Sequence, residues 1–131
     1  MGKTLPQGQQ IGGSPVAFAV LSAPELLSLI LEKRANPNGK NQLGKTALIQ
    51  ATMNGDLKSV KLLISYKADI ELDDGKFSPL ATAVRSNHPE IVKYLLEKGA
   101  NPNGKGNPLK FAKDLQNTEL ISALQKAGAK Q

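Results

Sequence analysis

The chain has 131 residues and a net charge of +6; 40% of its residues are hydrophobic, only 4% aromatic, with no Trp and no Cys. The length suits one domain whose core must come from Leu, Ala, Ile and Val, and the missing Cys excludes disulfides, thiolate metal sites and cysteine nucleophiles. The basic excess is spread along the chain, without the dense Lys/Arg block or basic-aromatic interleaving of a nucleic-acid binder, so charge alone implies only a mild preference for an acidic partner.

In chain order, residues 1–13, MGKTLPQGQQIGG, are rich in Gly and Gln, show no periodicity and lack the apolar stretch of a signal peptide. They are expected to form a flexible arm ahead of a single domain over 14–131. The expected compartment is the cytoplasm, with a periplasmic or secreted location if a leader preceded this numbering. No run approaches the roughly 20 apolar residues of a membrane span, so no membrane partner is expected.

Residues 14–38, SPVAFAVLSAPELLSLILEKRANPN, carry a first apolar helical pattern. GKNQLGKT, from Gly39 to Thr46, then matches the phosphate-loop spacing G-x-x-x-x-G-K-[ST]. Two short helices follow over about residues 46–53 and 57–66, parted by the Asn54-Gly55 turn. Further on, Asn87-His88-Pro89-Glu90 makes the same kind of break, with Pro89 in a helix first turn and Glu90 beside its N-terminal dipole.

These segments are copies of one another. EKRANPNGK at 32–40 and EKGANPNGK at 97–105 agree at eight of nine positions, and SYKADIELD from Ser65 keeps the rhythm between them. Thr46-Ala47-Leu48 aligns with Ser78-Pro79-Leu80 and Asn107-Pro108-Leu109; Ala51 aligns with Ala83 and Ala112; Leu63 aligns with Leu95 and Leu124. Ala35, Ala68, Ala100 and Ala129 mark steps of 33, 32 and 29 residues, the shortfall falling between Ala100 and Pro108. A fixed period of this size means stacked supersecondary units.

On those residues the chain resembles the ankyrin repeat family. GKTALIQA (44–51), SPLATA (78–83) and NPLKFA (107–112) follow the family's G-x-T-P-L-H-x-A, and HPEIVKYLLEKGANPN (88–103) follows the remainder of the repeat. The resemblance implies an all-α solenoid of helix-turn-helix units joined by short β-hairpin loops, with units at about 14–40, 41–73, 74–105 and 106–131. The outer two are expected to cap the stack. Ala47 stands where the family has proline, and Ile49, Ala81 and Lys110 where it has histidine, so the usual histidine hydrogen bonds are absent and stability is expected to lean on apolar stacking.

The resemblance also explains the phosphate-loop match. Gly44 becomes a hairpin glycine and Thr46 a helix N-cap, while the β-strand that must precede a true phosphate loop is missing. A nucleotide-binding enzyme is therefore the least favoured reading. His88 reads as a turn residue, Asp73-Asp74-Gly75 as a hairpin tip rather than a calcium loop, and Asp69 and Glu71 as loop carboxylates with no pocket to tune them. No catalytic residue, cofactor or metal is expected.

What remains is surface. The resemblance implies a non-catalytic module that binds one protein partner, with an acidic patch, through the concave face made by the hairpin tips and first helices. Carried over residue by residue, that face comprises Gln42, Leu43, Lys45, Met53 and Asn54, then Lys76, Phe77, Arg85 and Ser86, then Lys110 and Asp114. Phe77 is expected either to tuck against the next first helix or to anchor the partner. A bacterial immunity or antitoxin-type inhibitor that neutralises an enzyme is the alternative, and a monomer is expected.

Overall fold

The computed structural model describes residues 14–130, so the expected arm over 1–13 lies outside the described residues. Four helix pairs follow one another: α1 (Pro15–Ser22) and α2 (Leu27–Glu32), α3 (Ala47–Asn54) and α4 (Leu57–Ser65), α5 (Pro79–Arg85) and α6 (Pro89–Glu97), α7 (Pro108–Asp114) and α8 (Thr118–Lys126). The first helices α1, α3, α5 and α7 stack in one layer, and the second helices α4, α6 and α8 stack in the other. This is the all-helical solenoid that the repeat implies.

Each first helix starts the same way. The side chains of Ser14, Thr46, Ser78 and Asn107 accept hydrogen bonds from first-turn amides, at 3.1 Å for Thr46 to Ile49 and for Ser78 to Ala81. Proline occupies the first turn of α1, α5 and α7, where no N–H is missed. Asn107 differs from its counterparts in lying at φ 54°, because its loop is the shortened one. In the first pair the turn is a residue short, and a 3-10 turn over Pro24–Leu26 takes the place of the first turn of α2.

The layers meet over small residues. Ala19, Ala51, Ala83 and Ala112 are buried at one register of the first helices, and Leu63, Leu95 and Leu124 at one register of the second. A methyl side chain at the first position lets backbones approach; a leucine at the second fills the space between layers. Ile49 and Ala81, at the family's histidine register, are fully buried, so apolar contact does replace histidine there.

Polar bonds between units nevertheless recur, and they come from the loops. Asn38, Glu71 and Asn103 stand three residues after Ala35, Ala68 and Ala100. Their side chains accept from the amides of Asp69 (2.6 Å), Asn101 (2.7 Å) and Lys130 (2.8 Å), each one unit further on. Asn36, Asp69 and Asn101 fold each loop back by accepting, at 2.9 Å, from the amide two residues later. The carboxylates of Asp69 and Glu71 are thus structural.

The mid-unit turns are linked as well. Asp56 and Asn117 cap α4 and α8 with their side chains, but His88 leaves α6 uncapped. Its Nε2 instead donates to the Met53 carbonyl at the end of α3 (3.3 Å). The ring lies against Gly55, at φ 74°, where a Cβ would come within 2.8 Å of it. Asn117 likewise donates to Asn87 at 3.0 Å.

The hairpin loops are less regular than the resemblance implies. Among the described residues the only β pairing is one antiparallel bridge, Lys40 to Thr46. In the next loop Asp74 takes over, its carboxylate accepting from the amides of Lys76 (3.0 Å) and Phe77 (2.9 Å), which closes the tip without a ladder.

Leu95→Ala should lower stability by about 2–5 kcal/mol, as for truncation of a fully buried leucine. Leu43, 78% exposed on its loop, should lose under about 0.5 kcal/mol on the same change. Urea melts of the two variants check the register, and equal losses would refute it.

Candidate protein-docking face

The first-helix side and the loop tips bring three candidate features together between the third and fourth units. Phe77, at the end of its loop, is half-buried, and its ring meets Phe111 of α7 edge-on with centroids 5.8 Å apart. The Arg85 guanidinium, at the end of α5, lies 4.0 Å from the centre of the Phe77 ring and 5.4 Å from that of Phe111. The loop opposite makes room for Phe77: Gly106, at φ 96°, has no Cβ, and one would come within 2.6 Å of the ring.

This geometry holds a cation in place. Two ring faces attract the guanidinium, and a side chain that would otherwise sample many rotamers is confined. Among the described residues no carboxylate forms an ion pair with Arg85, so its charge is oriented but not neutralised. Phe77 does tuck against the following first helix, and in doing so it also supports the arginine. Phe111 was absent from the sequence-derived face. Its register, shared with Phe18, Gln50 and Thr82, lies toward the preceding unit, a direction that the linear motif does not show.

The other candidate residues divide by what they already touch. Lys45 is committed to the stack: its Nζ donates to Asp74 of the next unit at 2.9 Å, and the Asp74 side chain is only 7% exposed. Burial by itself would raise the Asp74 pKa, but the Lys45 hydrogen bond, the Phe77 and Lys76 amides and the lysine charge together lower it from 3.8 to about 2. Lys110 pairs with Asp114 at 3.0 Å on the surface of α7, with both side chains more than half exposed, an arrangement that contributes little to stability and opens easily. Asn54 accepts from Gln50 at 3.1 Å. Gln42, Leu43, Met53 and Lys76 are exposed along the tips and the end of α3, and Ser86 is half-buried beside Arg85.

The phosphate-loop residues are likewise occupied. Thr46 caps α3, Lys45 holds Asp74, Gly44 makes its turn at φ 80°, and Gly39 packs against the Ser14 side chain. The segment follows helix α2 and a loop rather than a strand. The amides of Leu43, Gly44 and Lys45 all donate to Asn41 within the loop. A shallow groove of about 540 Å³ opens on the opposite, second-helix side, lined by residues including Glu25, Lys61 and Tyr94. None of the candidate residues reaches it. Among the described residues there is no cluster suited to a metal ion and no helix long and apolar enough to cross a membrane.

The chain matches the family described as ankyrin repeats (3 copies) over residues 16–106. It is 35% identical over 97 residues to alpha-latrocrustotoxin-Lt1a of Latrodectus tredecimguttatus, an alignment covering 72% of this chain and 7% of that protein. It is 36% identical over 73 residues to protein phosphatase 1 regulatory subunit 27 of Homo sapiens, covering 55% of this chain and 47% of the relative. It is 39% identical over 70 residues to Notch-regulated ankyrin repeat-containing protein A of Danio rerio, covering 53% and 62%. In each case the chain spans less than two thirds of the relative's length.

Two measurements test this account of the loops. Calorimetric titration of the chain with Mg-ATP should give no binding tighter than about 100 μM, or about −5.5 kcal/mol, and Lys45→Ala should change nothing in it. Asp74 should stabilise the fold most above about pH 4, where the carboxylate is ionised in folded and unfolded chains alike. The stability gap between the native chain and Asp74→Asn should therefore be constant near neutrality. It should narrow as pH falls from about 4 toward the folded value of about 2. A gap that does not move with pH in denaturant melts would rule out the ionised contact.

Proposed function

Since this chain belongs to the ankyrin repeat family, whose repeats bind protein partners, we propose that it is a non-catalytic module docking one protein through its first-helix and loop-tip face, centred on Arg85, Phe77 and Phe111. The observation that carries the proposal is the Arg85 guanidinium, stacked on two aromatic rings and in no ion pair among the described residues. Arg and aromatic side chains are favoured anchors in protein interfaces, and an arginine ordered before binding loses less freedom on docking.

The chemistry of the face sets the partner's. An Asp or Glu of the partner meets Arg85, and its surroundings meet Lys76 and, after exchange of the Asp114 pair, Lys110. Met53 and Leu43, 39% and 78% exposed, offer apolar contact beside them. Lys45 supports this face through Asp74 rather than by touching the partner. If the partner is an enzyme, occupation of its surface regulates it without chemistry by this chain. The similarity to a protein named as a regulatory subunit of a phosphatase supports that class of role and carries nothing about which enzyme.

The test is affinity capture from the source organism with matched baits, followed by titration of the captured protein. Arg85→Glu should weaken binding by about 2 kcal/mol or more, in the range of an interface anchor, and flatten its salt dependence. Charge reversal at Lys61 or Lys93 on the second-helix side should leave it unchanged. Binding lost with the Lys61 or Lys93 change and kept with Arg85→Glu would place the partner on the other side.

A further inference from the structure

Three asparagines in the chain are followed by glycine: Asn38-Gly39, Asn54-Gly55 and Asn103-Gly104. Such a pair is chemically labile, because no side chain on the second residue hinders attack of its amide nitrogen on the asparagine side chain. Asn36, Asn101 and Asn107 precede proline, whose nitrogen carries no proton to lose, and are protected. At Gly39 the fold also leaves no substitute for glycine. A Cβ there would fall 2.2 Å from the Cβ of Ser14, the N-cap of α1.

The three pairs are held differently. At Asn54 the side-chain oxygen accepts from Gln50 at 3.1 Å, and the Gly55 amide is tied to the Ala51 and Thr52 carbonyls as the cap of α3. At Asn103 the oxygen accepts from the Lys130 amide at 2.8 Å, Nδ2 donates to the Gly128 carbonyl at 3.1 Å, and the Gly104 amide donates to Asn101 at 3.1 Å. Asn38, half-buried, has the shortest contact on its oxygen and the loosest elsewhere. The Asp69 amide donates to that oxygen at 2.6 Å, placed to stabilise negative charge developing on it. Its Nδ2 makes no hydrogen bond among the described residues, and the Gly39 amide is held only at 3.4 Å, by Asn36.

We propose that Asn38 is a site of spontaneous deamidation, through which the chain loses the clamp between its first and second units as it ages. The Gly39 nitrogen gives up its proton to solvent and bonds to Asn38 Cγ; the Cγ–Nδ2 bond breaks and ammonia leaves, closing a succinimide ring. Water then opens the ring at either carbonyl, giving aspartate or isoaspartate. Each conversion consumes one water and releases one ammonia, with no redox change. The two products differ in effect. Aspartate keeps an oxygen where Asn38 has one, and Glu71 shows that a carboxylate serves at this register, accepting from the Asn101 amide at 2.7 Å. Isoaspartate routes the main chain through the former side chain, which lengthens the loop by one carbon and withdraws the oxygen from Asp69. At Asn103 even aspartate loses a bond, since its carboxylate would face the Gly128 carbonyl that Nδ2 now reaches.

The test is incubation of the full chain in mildly alkaline buffer, folded and in urea, followed by peptide mapping with mass spectrometry and enzymatic methyl labelling of isoaspartate. In the folded chain Asn38 should convert about threefold or more faster than Asn54 and Asn103, the cost of roughly one hydrogen bond broken at each of the others. In urea the three rates should converge. The aged chain should melt earlier in proportion to its isoaspartate, while Asn38→Asp should melt with the native chain and Asn103→Asp before it. Asn38→Gln should remove the label from that loop. No conversion at Asn38, conversion of Asn54 or Asn103 as fast as Asn38, an order unchanged by urea, or an isoaspartate-bearing chain as stable as the fresh one would each overturn the proposal.

Discussion

A helix pair of about thirty residues cannot enclose its own apolar face, and every other feature of this molecule follows from that constraint. Each unit is stable only against a neighbour, and the neighbour must come close. The buried alanines at 19, 51, 83 and 112 permit the approach, and the leucines at 63, 95 and 124 fill the gap between layers. Polar groups then join units at both sides of the stack without entering it: Asn38, Glu71 and Asn103 clamp the next unit's backbone, and His88 gives up its capping role to reach Met53. The His88 exchange costs one local hydrogen bond and gains one between units, where each unit most needs support.

The fold was largely legible because periodicity is a long-range signal written in linear form. Three copies of one pattern outweighed a phosphate-loop match of eight residues, and the structure shows why the match arose. Repeat loops need a turn glycine and a hydroxyl cap, and Lys45 answers Asp74, so Gly44, Lys45 and Thr46 are selected singly for three unrelated tasks. The hairpins were legible only in part. Their ladder depends on backbone geometry, and in the loop ending at Phe77 a single side chain, Asp74, replaces it.

The candidate face was legible as a set of positions but not as a set of contacts. Sequence spacing placed Arg85 and Phe77 on the exposed side of the third unit. It could not show that Phe111, a unit later, completes the cradle, or that Lys45 is turned inward to a buried carboxylate. Both are contacts across the unit boundary, where register along one helix carries no information about direction toward the next. Whether a given lysine is free or spent depends on such contacts, so charge counts overstate what the face offers.

The alignment of units becomes more informative once burial is added to it. A position that is buried in every inner unit has a fixed direction, toward the unit before or the unit after, and a terminal residue at that position inherits the direction. Lys110 and Lys113 of the last unit are thus polar where Ile49, Ala81, Thr52 and Val84 of the inner units are buried, while Phe18, Leu26 and Leu29 of the first unit are exposed. The same logic separates the Arg85 cluster from the stack. Met53, Arg85 and Asp114 share one register at the end of the first helices, and their chemistry changes from unit to unit while the buried registers hold theirs. Stacking places no demand on that row, so its composition answers to what lies outside the fold.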